Sequence, residues 1–259
     1  MILDDIVARK HLQLKEEEAD IPLSVLERRA FLAPPPLDFE ALIRKSGLSI
    51  IAEVKKASPS KGLISADFHP AEIAIAYVAG GADCISVLTE RHFFQGSDEN
   101  LTEVRNAVKC PILRKDFFLC ERQVIGARAL GADCILLIAA VLDDAALRRL
   151  FRLSGELGMG TLMEAHTEDE AKRLVQAGGL LIGVNNRNLS TFIVDLGTFG
   201  RIRQVIPPSC ATVAESGIGT ADDVRRLADD GCDAVLIGEM LMRSGNPAGA
   251  LSLLKKAWH

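Results

Sequence analysis

Five apolar runs in this chain stop at a charged or amide residue, and that shared ending narrows the folds open to it. Ser49–Ala52 leads into Glu53 and Lys55, and Pro111–Leu113 into Arg114, Lys115 and Asp116. Thr161–Met163 stops at Glu164, Leu180–Val184 at Asn185, and Ala211–Ala214 at Glu215 and Ser216. A buried strand cannot carry an unpaired charge cheaply, so such residues belong at an open strand mouth, facing each other or a ligand. When many strands share one mouth, their endings converge on one pocket. That geometry is the eight-stranded (β/α)8 barrel of the TIM type, whose chemistry sits at the C-terminal ends of its strands.

The length of 259 residues fits one such domain. With 48% hydrophobic residues a large core can be buried, and a net charge of −5 disfavours nucleic acid as the main partner. The longest run without a polar residue, Cys134–Leu142, is far short of the roughly 18 to 20 that a membrane helix needs. The start of the chain lacks the basic and apolar segments of a secretory signal. Six cysteines show no close pair at metal-ligand spacing and read as small buried side chains. The expectation is a cytoplasmic protein with no membrane and no nucleic-acid partner, for which a monomer is one option.

Residues 1–45 differ from the rest. Apolar spacing predicts a helix over Ile2–Lys15, and Ser24 with Glu27 suggests a capping box opening a second helix over Ser24–Ala30. Pro34–Pro36 form a stiff connector. This segment is too small for its own core and reads as a helical extension folded on a barrel spanning 46–259, one domain in all. From residue 49 strands are expected near 49–54, 83–88, 111–115, 133–138, 160–164, 180–184, 210–214 and 233–237, with helices between them. A Gly-X-Asp turn recurs at Gly81, Gly131 and Gly231, each time ending a helix and starting a strand. These turns mark the floor of the barrel and therefore its mouth.

Residues two apart on a strand share a face. Ile51, Glu53 and Lys55 therefore point together, as do Leu113, Lys115 and Phe117, then Leu162 and Glu164, then Gly183, Asn185 and Arg187. Two lysines over an apolar floor are expected to have depressed pKa values, preparing one to donate a proton. The turns Glu215–Thr220 and Ile237–Glu239 follow strands seven and eight, where backbone N–H groups can approach a phosphate. The basic loop Lys56–Ile64 could close over an anion. Phe93, Phe94 and Phe117 stand where they would wall an aromatic substrate. Neither a dinucleotide fingerprint nor a Walker loop occurs, and no histidine spacing suggests a metal, leaving acid–base catalysis by Lys and Glu without a cofactor.

Glu53–Gly62, Leu113–Phe117, Leu162–His166, Gly183–Leu189, Ala214–Ile218 and Ile237–Glu239 resemble, in order, the signatures of the indole-3-glycerol-phosphate synthases of tryptophan biosynthesis. The resemblance covers essentially the whole chain. It implies a phosphorylated small-molecule substrate, 1-(2-carboxyphenylamino)-1-deoxyribulose 5-phosphate, closed to indole-3-glycerol phosphate with loss of carbon dioxide and water. By matching position it implies Lys115 as general acid for ring closure and Lys55 as a holder of carboxylate or phosphate. Glu53 and Glu164 would serve as acid–base groups, with Asn185 orienting hydroxyls. It also implies Arg187 and Ser58 as carboxylate and phosphate contacts, and Ser216, Gly217, Gly238 and Glu239 as the phosphate cradle. Glu215 would bond within the site, and the three phenylalanines would pack the anthranilate ring. One departure stands out: Cys120–Gln123 replaces the Asp-Pro-Tyr-Gln that often opens the family's helix after strand three.

Overall fold

The computed structural model describes residues 2–189 and 191–258. Eight parallel strands close into a barrel: β1 Ser49–Val54, β2 Cys84–Leu88, β3 Ile112–Lys115, β4 Cys134–Ile138, β5 Gly160–Ala165, β6 Leu181–Asn185, β7 Ala211–Glu215 and β8 Ala234–Ile237. Each strand pairs with its sequence neighbours, and β1 closes the ring against β8 in the register Ser49 opposite Ala234. Helices α1 Ile2–Asp20, α2 Leu23–Leu32 and α3 Phe39–Ile43 precede the barrel. Around it lie α4 Pro70–Ala79, α5 Asp98–Ala107, α6 Glu121–Ala129, α7 Asp144–Glu156, α8 Glu168–Gln176, α9 Gly197–Arg203, α10 Ala221–Asp229, α11 Glu239–Arg243 and α12 Pro247–Lys256. No helix among the described residues is long and apolar enough to cross a membrane.

Alternation along the strands divides the apolar residues into two cores. Ile51, Leu113, Leu162, Val213 and Leu236 fill the barrel's interior. Their neighbours Ile50, Ala52, Ile112, Met163 and Val235 pack outward against the helical ring. Parallel strands buried on both faces therefore read as continuous apolar runs.

The recurring turns act as anticipated. Gly81, Gly131 and Gly231 have φ of 98°, 83° and 78°, the left-handed region that glycine tolerates best. Each following aspartate pins the preceding strand: Asp83 accepts from Ile50 N at 2.9 Å, Asp133 from Ile112 N at 2.7 Å and Asp233 from Thr212 N at 2.7 Å.

The extension runs the full height of the barrel. Phe39 and Ile43 of α3 plug its floor, where Leu37 N donates to Asp133 Oδ1 at 2.7 Å. At the other end, Leu3 and Ile6 of α1 reach the mouth. The proposed Ser24–Glu27 capping box does not form. Helix α2 begins one residue earlier, with Pro22 at its N-cap and no side-chain cap. Proline's fixed φ suits a helix start without a capping hydroxyl. The unusual Cys120–Gln123 segment opens α6 normally. Gln123 Oε1 accepts from Leu119 N at 2.7 Å, and its Nε2 donates to Phe117 O at 2.7 Å.

Candidate active site

The mouth holds a cavity of about 350 Å³. Glu53, Lys55, Lys115, Glu164, Asn185 and Arg187 line it, as do Ser58, Phe94, Phe117, Ser216, Gly217, Gly238 and Glu239. Strand register brings them together: Ile138 pairs with Glu164, Glu164 with Gly183, and Asn185 with Glu215. Two residues singled out in the sequence stand back from the cavity wall. Phe93 packs against the interior core instead, and Glu215 lies behind Lys115.

Lys115 is the hub of the charges. Its Nζ lies 2.9 Å from Glu215 Oε2 and 3.3 Å from Glu53 Oε2. Lys55 Nζ holds the other Glu53 oxygen at 2.6 Å. Burial alone would raise the Glu53 pKa, but the two ammonium groups outweigh it and bring the carboxyl down to about 2. Burial would likewise lower Lys115, yet Glu215, Glu53 and Glu164 together hold it above the ordinary lysine range. The expected depression of a site lysine is therefore reversed for Lys115: the barrel surrounds this ammonium with carboxylates rather than with a second cation. Lys115 stands fully protonated and aimed into the cavity.

Glu215 goes the other way. Burial, with the nearby Glu164 carboxylate, overcomes the Lys115 attraction and pushes it from 4.5 to about 7. Between these values the folded chain keeps a proton that the unfolded chain has lost, so stability falls as pH rises through this window. Glu215→Gln is expected to flatten that slope, read as the urea midpoint against pH; an unchanged slope would mean Glu215 does not titrate there.

At the far end Ser216 and Gly217 adopt positive φ, 67° and 81°. A Cβ on Gly217 would meet Val194 Cγ1 at 2.3 Å, and one on Gly238 would meet Glu53 Oε1 at 2.4 Å. Both positions require glycine, which leaves their backbone N–H groups accessible to an anion. Loop residues Ala57–Ser58 and Gly62–Leu63 form an antiparallel hairpin, and Lys61 reaches Glu239 at 3.5 Å across the mouth. The Phe94 and Phe117 ring centroids lie 6.3 Å apart on one wall. Glu90 orders the Phe94 segment by accepting from His92, Phe93 and Phe94 N at 3.0, 2.7 and 3.0 Å.

Several supporting residues escaped the sequence reading. Glu90 obeys the same rule as the rest, a carboxylate just beyond an apolar strand, and could have been found by it. Asn186 carries Ser216 by donating to its carbonyl at 3.3 Å. Lys10 of α1 forms a 2.7 Å ion pair with Asp116, beside Lys115, and both side chains are almost wholly buried.

The solved thiamine phosphate pyrophosphorylase from Pyrococcus furiosus shares this fold with a TM-score of 0.62 at 16% identity, over 81% of this chain and 95% of that one. Barrel closure and an ammonium–carboxylate cluster at one mouth define the class as a barrel enzyme. The narrower assignment comes from residues 3–254, which match the family model described as indole-3-glycerol phosphate synthase, and the chain belongs to that family. The indole-3-glycerol phosphate synthase of Desulfotalea psychrophila is 50% identical over 98% of both chains. That of a Nocardioides species is 49% identical over 96% of both.

Proposed function

We propose that this chain converts 1-(2-carboxyphenylamino)-1-deoxyribulose 5-phosphate to indole-3-glycerol phosphate, carbon dioxide and water, as a cytoplasmic enzyme. The observation that carries the reading is Lys115, a half-buried ammonium held by Glu53 and Glu215 over the cavity floor. As the aryl carbon attacks the ketone, negative charge grows on the carbonyl oxygen, and Lys115 stabilises and protonates it. Carbon dioxide then leaves from the attacking ring carbon, and the electrons of the broken C–C bond restore aromaticity. Loss of the new hydroxyl as water completes the pyrrole. Glu53, ionised between two lysines, serves as the base, and Glu164 protonates the leaving hydroxyl. Lys55 and Arg187 hold the substrate carboxylate, Asn185 orients hydroxyls, and Phe94 and Phe117 flank the ring. Ser58 with the Ser216–Gly217 and Gly238–Glu239 turns receives the phosphate, Glu239 through its backbone.

A Schiff-base aldolase would need Lys115 as a free amine. Its elevated pKa opposes that reading. Mixing purified protein with the arylamino ketose phosphate is expected to produce indole fluorescence without added metal or nucleotide, and borohydride is expected to leave Lys115 unmodified. No fluorescence, or a reduced adduct on Lys115, would overturn the assignment.

A further inference from the structure

His166 lies just beyond β5, two residues after Glu164. Its side chain is 11% exposed, with Nε2 3.3 Å from Glu164 Oε1 and Nδ1 3.5 Å from Glu170 Oε2. Both ring nitrogens are buried, and neither makes a well-formed hydrogen bond to a described residue. Glu170 is itself fixed in the first turn of α8. Its Oε2 accepts from His166 N at 2.7 Å, and its N donates to Thr167 Oγ1 at 3.2 Å. Helix geometry thus braces the imidazole from behind.

Two cavities meet here. Glu164 lines the catalytic cavity, whereas His166 and Glu170 line a second groove of about 1220 Å³ beside α8 and α9. The charged groups facing the imidazole are Glu164 from β5, Glu170 from α8 and, deeper, Glu215 from β7, with Arg173 adjoining Glu170. Burial disfavours the imidazolium, but these carboxylates outweigh it and raise the His166 pKa.

The proposed reaction creates a need for such a link. Its substrate enters as a carboxylate and releases neutral carbon dioxide and water, so each turnover consumes one proton. We propose that His166 is a positioning residue and the proton inlet for Glu164, carrying a solvent proton from the outer groove to the catalytic cavity. The Nε2–H bond of the imidazolium breaks as an O–H bond forms on Glu164 Oε1. Glu164 then passes that proton to the leaving hydroxyl as its C–O bond breaks and water departs. The neutral ring then turns its bare nitrogen toward Glu170, the groove-side carboxylate 3.5 Å from the opposite nitrogen, takes the next proton there and turns back.

This inference rests on Glu164 as the acid, so Glu164→Gln is measured alongside. His166→Ala is expected to lower kcat by about a hundredfold with KM little changed, the ordinary scale of a lost acid–base group. Added imidazole is expected to restore rate through the open groove, and substituted imidazoles should give rates that follow their basicity. In the wild type, kcat should fall as pH rises and His166 deprotonates; in His166→Gln that limb should disappear. Melting temperatures of both variants establish that they fold. If a folded His166→Ala protein keeps wild-type kcat, or its deficit ignores imidazole, the inlet is refuted. If Glu164→Gln is crippled while His166→Ala is not, only the inlet fails; if Glu164→Gln is fully active, the reading of Glu164 fails as well.

Discussion

Lys115→Met is expected to reduce kcat about a thousandfold or more, while inorganic phosphate still binds with an affinity within a few-fold of wild type. The substitution keeps much of the stem's volume but removes the ammonium that meets Glu215 at 2.9 Å and Glu53 at 3.3 Å. A lost general acid typically costs about 10²–10⁴ in rate, and lost electrostatic stabilisation of the oxyanion falls in the same range. A thousandfold corresponds to about 4 kcal/mol of barrier. Phosphate is expected to hold because the Ser216–Gly217 and Gly238–Glu239 turns are backbone features that Lys115 does not shape. Lys115→Arg should recover little, since a planar fork cannot replace a compact ammonium among carboxylates. Steady-state kinetics with a phosphate titration decide the matter, and near-normal turnover in the methionine variant would remove Lys115 from the chemistry.

Lys10→Met is expected to destabilise the fold by about 3 kcal/mol, the lower edge of what breaking a buried ion pair costs. Asp116 would lose its 2.7 Å partner while remaining almost fully buried. It would keep the Thr89 hydroxyl at 2.7 Å, Phe117 N at 2.8 Å and the more distant Arg114 at 3.6 Å, which is why the cost falls at the lower edge. Burial works to raise the Asp116 pKa, but Lys10 and Arg114 hold it below 3.8. The pair's contribution is therefore present above that ordinary value and disappears as pH falls below it. Pairing Lys10→Met with Asp116→Asn should return part of the loss by removing the stranded charge. Urea unfolding of the three variants at neutral pH and at pH 3 measures both the loss and its pH dependence. Equal stability of Lys10→Met and wild type would show that the pair contributes nothing.

The barrel was legible because its two determinants are local. Apolar runs must end where charge begins, and a left-handed glycine followed by aspartate marks each recurring floor turn. Those signals alone place Glu53, Lys115, Glu164 and Asn185 on one rim. What stayed hidden depends on long-range company. A lysine on an amphipathic helix ordinarily faces water, so nothing near Lys10 announces a carboxylate contributed by β3's end. The direction of the Lys115 shift is hidden for a related reason: the sequence puts lysines and carboxylates on one rim, but only folding sets their distances, and here Glu215, Glu53 and Glu164 outweigh burial. The false Ser24–Glu27 box shows the converse weakness, a short motif that fits a rule while the chain starts its helix at Leu23.

The N-terminal strap also sets an order of events during synthesis. Leu37 waits 96 residues for Asp133, and Glu17 waits 105 residues for the Arg122 guanidinium that binds its carbonyl. At about 5–20 residues per second, α1 and α3 leave the ribosome some 5 to 20 seconds before their docking surfaces exist. The segments that seal the floor and roof the catalytic chamber are thus made ahead of their partners, and they can dock only once the chain has grown past Arg122 and Asp133, at the level of α6 and β4.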